Sequence, residues 1–295
     1  MKRAAEERPP YALDAPSRRA GEAVVTVAGP EGVAPPLLLV HSVNATASAH
    51  EVRPLFEALR ATRRVIAIDL PGFGLAPRAP GPYTPRRMTD ALFAALEEAG
   101  GGGPVDALAV SLSCEFLARA AVERPRAFRR LALVSPTAMD GTRLREGQPG
   151  EVRGSPRVAR ALEAGPWGRA MFGLLVKPGS VRFFLRKTFG SERIDERLWA
   201  DAVAAAGEPG AHHAPLWFVA GALFAADAGA LYAALPHPVW ASHGTRGDFT
   251  DYRAKAVLAS RPNWRFTVYE GCGALPYFER PEAFARDLGG FLAAT

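Results

Sequence analysis

The chain has 295 residues, 48% apolar and 22% charged, which is the size of one large domain and the balance of a globular protein. Its formal charge is +6, with 32 Arg and only 4 Lys among 36 basic residues. The basic residues are spread along the sequence with no run of five or six, so they read as solvated surface, which excludes a nucleic-acid partner. The start, "MKRAAEERPPYALDAPSRR", has no apolar stretch, and no window reaches the ~18 apolar residues of a membrane span. These features point to a cytoplasmic protein with no membrane partner. Two cysteines, Cys114 and Cys272, make no disulfide scaffold.

Residues 1–20 are charged and Pro-rich and read as a tail or a loosely packed first strand. "EAVVTVAG" (22–29) alternates as a strand and "PEG" turns the chain. "PPLLLVHS" (35–42) and "RRVIAIDL" (63–70) are short, continuously apolar runs, the mark of strands buried on both faces of a parallel sheet. Between them "AHEVRPLFEALRA" (49–61) has helical spacing. A Gly/Pro loop leads to the helix 84–100, with Thr84 as N-cap and Pro85 at its first position. "PVDALAV" (104–110), the helix 113–125 and "RRLALVSP" (129–136) complete a β-α-β-α-β-α-β order, which predicts an α/β fold with a mostly parallel sheet.

The pattern then changes. Residues 141–234 hold helical segments and no clear strand, including "SPRVARALEAG", "VRFFLRKTFG" and "APLWFVAGALFAADAGALYAAL". The sheet resumes with "HPVWASHG" (237–244), the helix "YRAKAVLASR", the strand "NWRFTVYEG" and a last helix from Pro281. The chain therefore divides into a tail (1–20), a core (21–140 and 235–295) and an inserted helical cap (141–234).

In open α/β sheets chemistry lies beyond the carboxyl ends of the strands. There "DALAVSLSCEF" runs from a strand directly into Ser111 and then a helix. This is the form of a nucleophile elbow, which needs small residues two before and two after the serine; here they are Ala109 and Ser113. "PLLLVHS" followed by "RVIAIDLPGFG", then "GPVDALAVSLSCEFLARAAVERPRAFRRLALVSP", "PVWASHGTRGDFTDY" and "VYEGCGALPYFERPEAFARDLGGFL", resemble the α/β-hydrolase family in several separate places.

The resemblance implies an α/β-hydrolase fold in which Ser111 is the nucleophile and the backbone N–H groups of Val43 and Leu112 form the oxyanion hole. Asp248 is the candidate acid, one residue beyond the expected position, with Asp140 as a second candidate. The base position falls on Ala274, so the triad is degenerate. Candidate substitutes or pocket groups are His50, beside Glu51, the pair His212 and His213, Tyr252 and Glu115; His41 and His243 read as loop-bracing residues. No cofactor and no metal site are expected. Three activities stay open: a hydrolase-like enzyme acting on a small apolar ester, lactone or related carbonyl compound; a lyase, isomerase or cyclase on the same scaffold; and an inactive small-molecule-binding protein.

Overall fold

The computed structural model describes residues 8–294. Its centre is an eight-stranded sheet in the order β1-β2-β4-β3-β5-β6-β7-β8. The strands are β1 (Ser17–Ala20), β2 (Ala23–Ala28), β3 (Leu37–Val40), β4 (Val65–Asp69), β5 (Val105–Val110), β6 (Phe128–Val134), β7 (Val239–Gly244) and β8 (Trp264–Tyr269). β1–β2 and β2–β4 pair antiparallel, and every other pair is parallel. β1 lies in the stretch read from sequence as a tail or a loosely packed first strand; it is a paired edge strand, Ser17 facing Thr26.

Every residue of β3, β4 and β5 is buried, and alternate side chains enter two different layers. Leu38, Val40, Ile66, Ile68, Ala107 and Ala109 pack on one face. Leu37, Leu39, Val65, Ala67, Leu108 and Val110 pack on the other. The continuous apolar runs thus result from a sheet covered on both sides. Each large aliphatic side chain so buried contributes about 1.5–3 kcal/mol of transfer free energy.

Helices α1 (Arg53–Leu59), α2 (Pro85–Ala99) and α3 (Ser113–Glu123) connect the first parallel strands. The Thr84 hydroxyl caps α2, accepting the Arg87 N–H at 3.1 Å. Residues 49–52 form a 3-10 turn before α1 rather than part of one helix, because Pro54 enters in the first turn of α1 without an N–H to donate. Between β6 and β7 lie α4 (Pro156–Ala164), α5 (Pro166–Leu175), α6 (Pro178–Phe189), α7 (Glu196–Ala206), α8 (His213–Val219) and α9 (Ala228–Ala234). The long apolar stretch 214–235 breaks into α8 and α9 at Gly221, whose φ of +71° ends the helix. The chain closes with α10 (Lys255–Ala259), α11 (Pro276–Glu279) and α12 (Pro281–Ala293). α10 is shorter than the ten-residue helix read from "YRAKAVLASR".

Candidate active site

β5 leaves the sheet straight into Ser111, whose φ of +55° lies in the left-handed region that side-chain-bearing residues avoid. Ser135 (φ +48°) and Ala138 (φ +61°), just beyond β6, share that strain. All three line one cavity of about 370 Å³ between the sheet edge and the cap. Each such residue stores about 1–3 kcal/mol and persists only when its surroundings over-determine it. Here the Ser111 N–H donates to the Val134 carbonyl at 2.8 Å, and the Ser113 hydroxyl donates to the His41 carbonyl at 2.6 Å. Ala109 and Ser113 are fully buried around the turn, so small side chains suffice where glycine is the commoner choice.

The Ser113–His41 bond also ties together the two segments that carry Leu112 and Val43. Both residues line the cavity, and neither N–H donates to another group among the described residues. The loop bearing Val43 is held by a carboxyl that sequence reasoning named only beside His50. Glu51 Oε2 accepts the Ser42 N–H at 2.9 Å and Oε1 accepts the Asn44 amide at 2.6 Å. Desolvation raises the Glu51 pKa against these bonds. Glu51 borders the cavity, and the Tyr277 hydroxyl donates to its carbonyl at 3.0 Å. Tyr277 is thus a brace for this turn.

Ala274 is buried and lines the cavity on the side facing the cap. Its N–H donates to the Thr188 carbonyl of α6 at 2.9 Å, and its carbonyl accepts the Ser135 hydroxyl at 2.7 Å. The neighbouring Gly273 lies so close to α6 that a Cβ would stand 2.5 Å from the Phe189 Cα. Tyr252 lines the cavity. Its ring stacks on His243 at 4.0 Å, its phenol lies beside the Ser135 hydroxyl, and burial pushes its pKa up to about 12.

Among the described residues no histidine lines the cavity, and none hydrogen-bonds Ser111. His50 is not a pocket group: it is buried, its Nδ1 lies 2.5 Å from Ser48 Oγ, and desolvation lowers its pKa to about 3. His212 and His213 are not pocket groups either. Their rings lie 4.0 Å apart, tilted by 36°, within the cap, and His213 Nδ1 lies 2.9 Å from Glu163. Glu163 in turn accepts the Gly81 N–H at 2.8 Å, so this cluster fastens α4 and α8 to the core. His41 accepts the Leu70 N–H at Nε2, at 3.1 Å, leaving Nδ1 to donate to the Ser42 carbonyl at 2.5 Å. Desolvation holds its pKa at about 4. His243 donates from Nδ1 to the Gly244 carbonyl at 2.8 Å and accepts Lys255 at Nε2, also at 2.8 Å.

Glu115, too, lies elsewhere than its sequence position suggests. It neither points out nor lines the cavity; it is a fully buried clamp between α3 and the cap. It accepts the Ala225 N–H at 2.8 Å, the Thr137 hydroxyl and the Arg153 guanidinium. Burial raises its pKa while Arg153 opposes that rise. Arg153, which the sequence did not single out, stacks on Phe224 at 4.7 Å and lines the cavity. Both candidate acids reach the cavity rim, but each faces a cation there. Asp248 pairs with Lys187 at 3.3 Å, both half-exposed. Asp140 pairs with Arg145, whose hydrogen bond lowers the Asp140 pKa. Cys114 donates to the Ala109 carbonyl at 3.2 Å, and burial pushes its thiol well above the usual range, which leaves it inert. No group of three potential metal ligands occurs among the described residues, and no helix there is long and apolar enough to cross a membrane.

The same architecture occurs in solved structures. A serine hydrolase involved in carbazole degradation, the CarC enzyme, superposes with a TM-score of 0.72 at 19% identity, covering 96% of this chain and 99% of that one. The 2-hydroxy-6-oxo-6-phenylhexa-2,4-dienoate hydrolase of Rhodococcus sp. strain RHA1 gives 0.71 at 20% identity, covering 94% and 98%. The Cif epoxide hydrolase of Acinetobacter nosocomialis gives 0.71 at 18%, covering 96% and 91%. At these identities the likeness shows the fold alone. Comparison with curated protein sequences finds no match. The sequence profile of the alpha/beta hydrolase family matches residues 37–287, and on that match the chain belongs to the alpha/beta hydrolase family.

Proposed function

We propose that the protein is a hydrolase-like enzyme for a small, largely apolar carbonyl compound, an ester or lactone, bound beneath the cap. The single observation that carries this reading is Ser111, held at φ +55° and facing the cavity, with Val43 and Leu112, whose N–H groups have no acceptor among the described residues, lining the same cavity. The substrate carbonyl oxygen sits on those two donors, which stabilise the charge that develops on it. The Ser111 oxygen adds to the carbonyl carbon and its proton passes to solvent or to the departing alkoxide. Water then cleaves the acyl-serine, releasing the acid and restoring the hydroxyl.

No imidazole assists these proton transfers. Loss of the triad histidine costs roughly 10⁶ in turnover and leaves about 10³–10⁴ over water from the oxyanion hole and binding. Ser111 is therefore an oriented, unactivated hydroxyl, and turnover is confined to strained lactones and esters with good leaving groups. Hydrolysis of an aryl-ester and lactone panel tests this. Slow turnover abolished by Ser111→Ala supports the reading; turnover unchanged by Ser111→Ala defeats it.

A second reading is a non-hydrolytic reaction, in which the two N–H donors polarise a carbonyl and a side chain moves a proton. The Tyr252 hydroxyl in the cavity favours it. Activity that survives Ser111→Ala and is lost in Tyr252→Phe would select it over ester cleavage.

A further inference from the structure

The outer face of the cap has an uneven charge that the sequence, scanned for runs of like charge, hides. Residues 156–190, which make up α4, α5 and α6, contain seven Arg or Lys and a single acid, Glu163. That excess of six equals the formal net charge of the whole chain, +6, so the remaining 260 residues are balanced. Glu163 does not offset it at the surface, because it turns inward to His213 and the Gly81 N–H.

Large apolar side chains are exposed on the same three helices. Trp167 is 80% exposed, Leu174 59%, Phe183 54%, Val158 50% and Phe184 47%. They are five of the nine exposed large hydrophobic residues described, and three of the four exposed aromatics. Trp167 and Leu174 are seven apart and share one face of α5, while Phe183 and Phe184 meet edge to face at 5.5 Å on α6. α5 packs against both α4 and α6. Four of the cations, Arg157, Arg160, Arg169 and Lys177, are exposed and have no ion pair among the described residues. The other three pair with Glu196, Glu192 and Asp248, acids that are themselves at least half-exposed.

We propose that this face of the cap docks on an anionic lipid bilayer. Aromatic and aliphatic tips set among unpaired cations are what the boundary between lipid headgroups and acyl chains accepts, the tips entering it and the cations staying at the phosphates. A nucleic-acid duplex would use the cations and leave Trp167, Leu174, Phe183 and Phe184 in water; a single strand could stack bases on the aromatic rings but would leave Leu174 and Val158 unmatched; a neutral apolar partner would leave the cations unmatched. The assignment replaces the expectation of no membrane partner and is independent of the chemistry at Ser111. It also places α6 between bilayer and cavity, since Leu185 and Thr188 of the same helix line the cavity.

Sedimentation of the full chain with unilamellar vesicles tests it, comparing phosphatidylcholine alone with phosphatidylcholine plus phosphatidylglycerol. Trp167, the most exposed tryptophan, reports insertion by a blue shift of its emission, with Trp167→Phe as control. Binding and a blue shift are expected only with the anionic vesicles. Binding should fade near 1 M salt, where the Debye length is about 3 Å. Each basic residue near an anionic surface strengthens partitioning about fivefold, so Arg169→Glu with Lys177→Glu should lower it by about 25-fold or more. Phe183→Ala with Phe184→Ala should weaken it without removing the charge selectivity. All these positions are exposed, and circular dichroism checks that the variants stay folded. No binding to either vesicle, equal binding to both, or retention on heparin or DNA without vesicle binding would overturn the proposal.

Discussion

Replacing Ala274 by histidine puts an imidazole into the cavity that Ser111 faces. Residue 274 is 7% exposed and borders the cavity with Ser111, and its backbone is pinned from both sides by Thr188 and Ser135. The loop therefore stays in place, and the ring enters a space of about 370 Å³. A positioned general base contributes about 10²–10⁴ in rate, or roughly 3–5 kcal/mol of barrier. The lower end applies here, because Asp248 is half-exposed and engaged by Lys187, so no carboxylate stands ready to orient the ring. Ala274→His should therefore raise aryl-ester hydrolysis about 100-fold. The gain should grow as pH passes about 6.5, where imidazole becomes neutral, and should vanish when Ser111→Ala is added. A folded Ala274→His variant with unchanged rate across pH 5–9 is the contrary result, because Ser111 would then either lack alignment with position 274 or already possess a base.

Three further outcomes follow from the same structure. Arg153→Met leaves the Glu115 carboxyl buried without its cation and should destabilise by about 3 kcal/mol; adding Glu115→Gln should recover part of this, measured as a urea-unfolding cycle, and strictly additive losses would contradict the clamp. Gly273→Ala forces a methyl against the Phe189 and Thr188 backbone and should cost about 1–3 kcal/mol, with an unchanged unfolding midpoint as the contrary result. His41 is depressed to about 4 in the fold, so its neutral form supports stability above pH 6.5 and that support is lost as pH falls toward 4. The stability advantage of wild type over His41→Gln should shrink by about 3 kcal/mol across that window; a constant difference would contradict the neutral tautomer inferred from the Leu70 bond.

The sheet was legible because burial on both faces writes itself as unbroken apolar runs at 37–40, 65–69 and 105–110. Ser111 was legible because a strand entering serine and then a helix is a local pattern. The histidines were visible as residues but not as positions. Whether His50 or His212 reaches the cavity depends on which way the side chain turns, and each turns to another partner, His50 to Ser48 and His212 to His213. Glu115 and Arg153 lie 38 residues apart, and neither signals the other without the fold. Ser135 escaped notice because its role rests on a positive φ and on the carbonyl of Ala274, 139 residues away. The positive charge of α4, α5 and α6 was in the sequence all along, but it is an excess spread over three helices and not a run.

Titration with an arylboronic acid, followed by a crystal structure of the complex, tests whether Ser111 is aligned with the Val43 and Leu112 N–H groups. Boron accepts an oxygen lone pair without needing an imidazole, so it reports alignment alone. A tetrahedral boronate should form on Ser111 Oγ, one of its oxygens accepting from the Val43 and Leu112 N–H groups, and no such adduct should form in Ser111→Ala. A boronate bound elsewhere, or a Ser111 left untouched at saturation, would contradict that alignment.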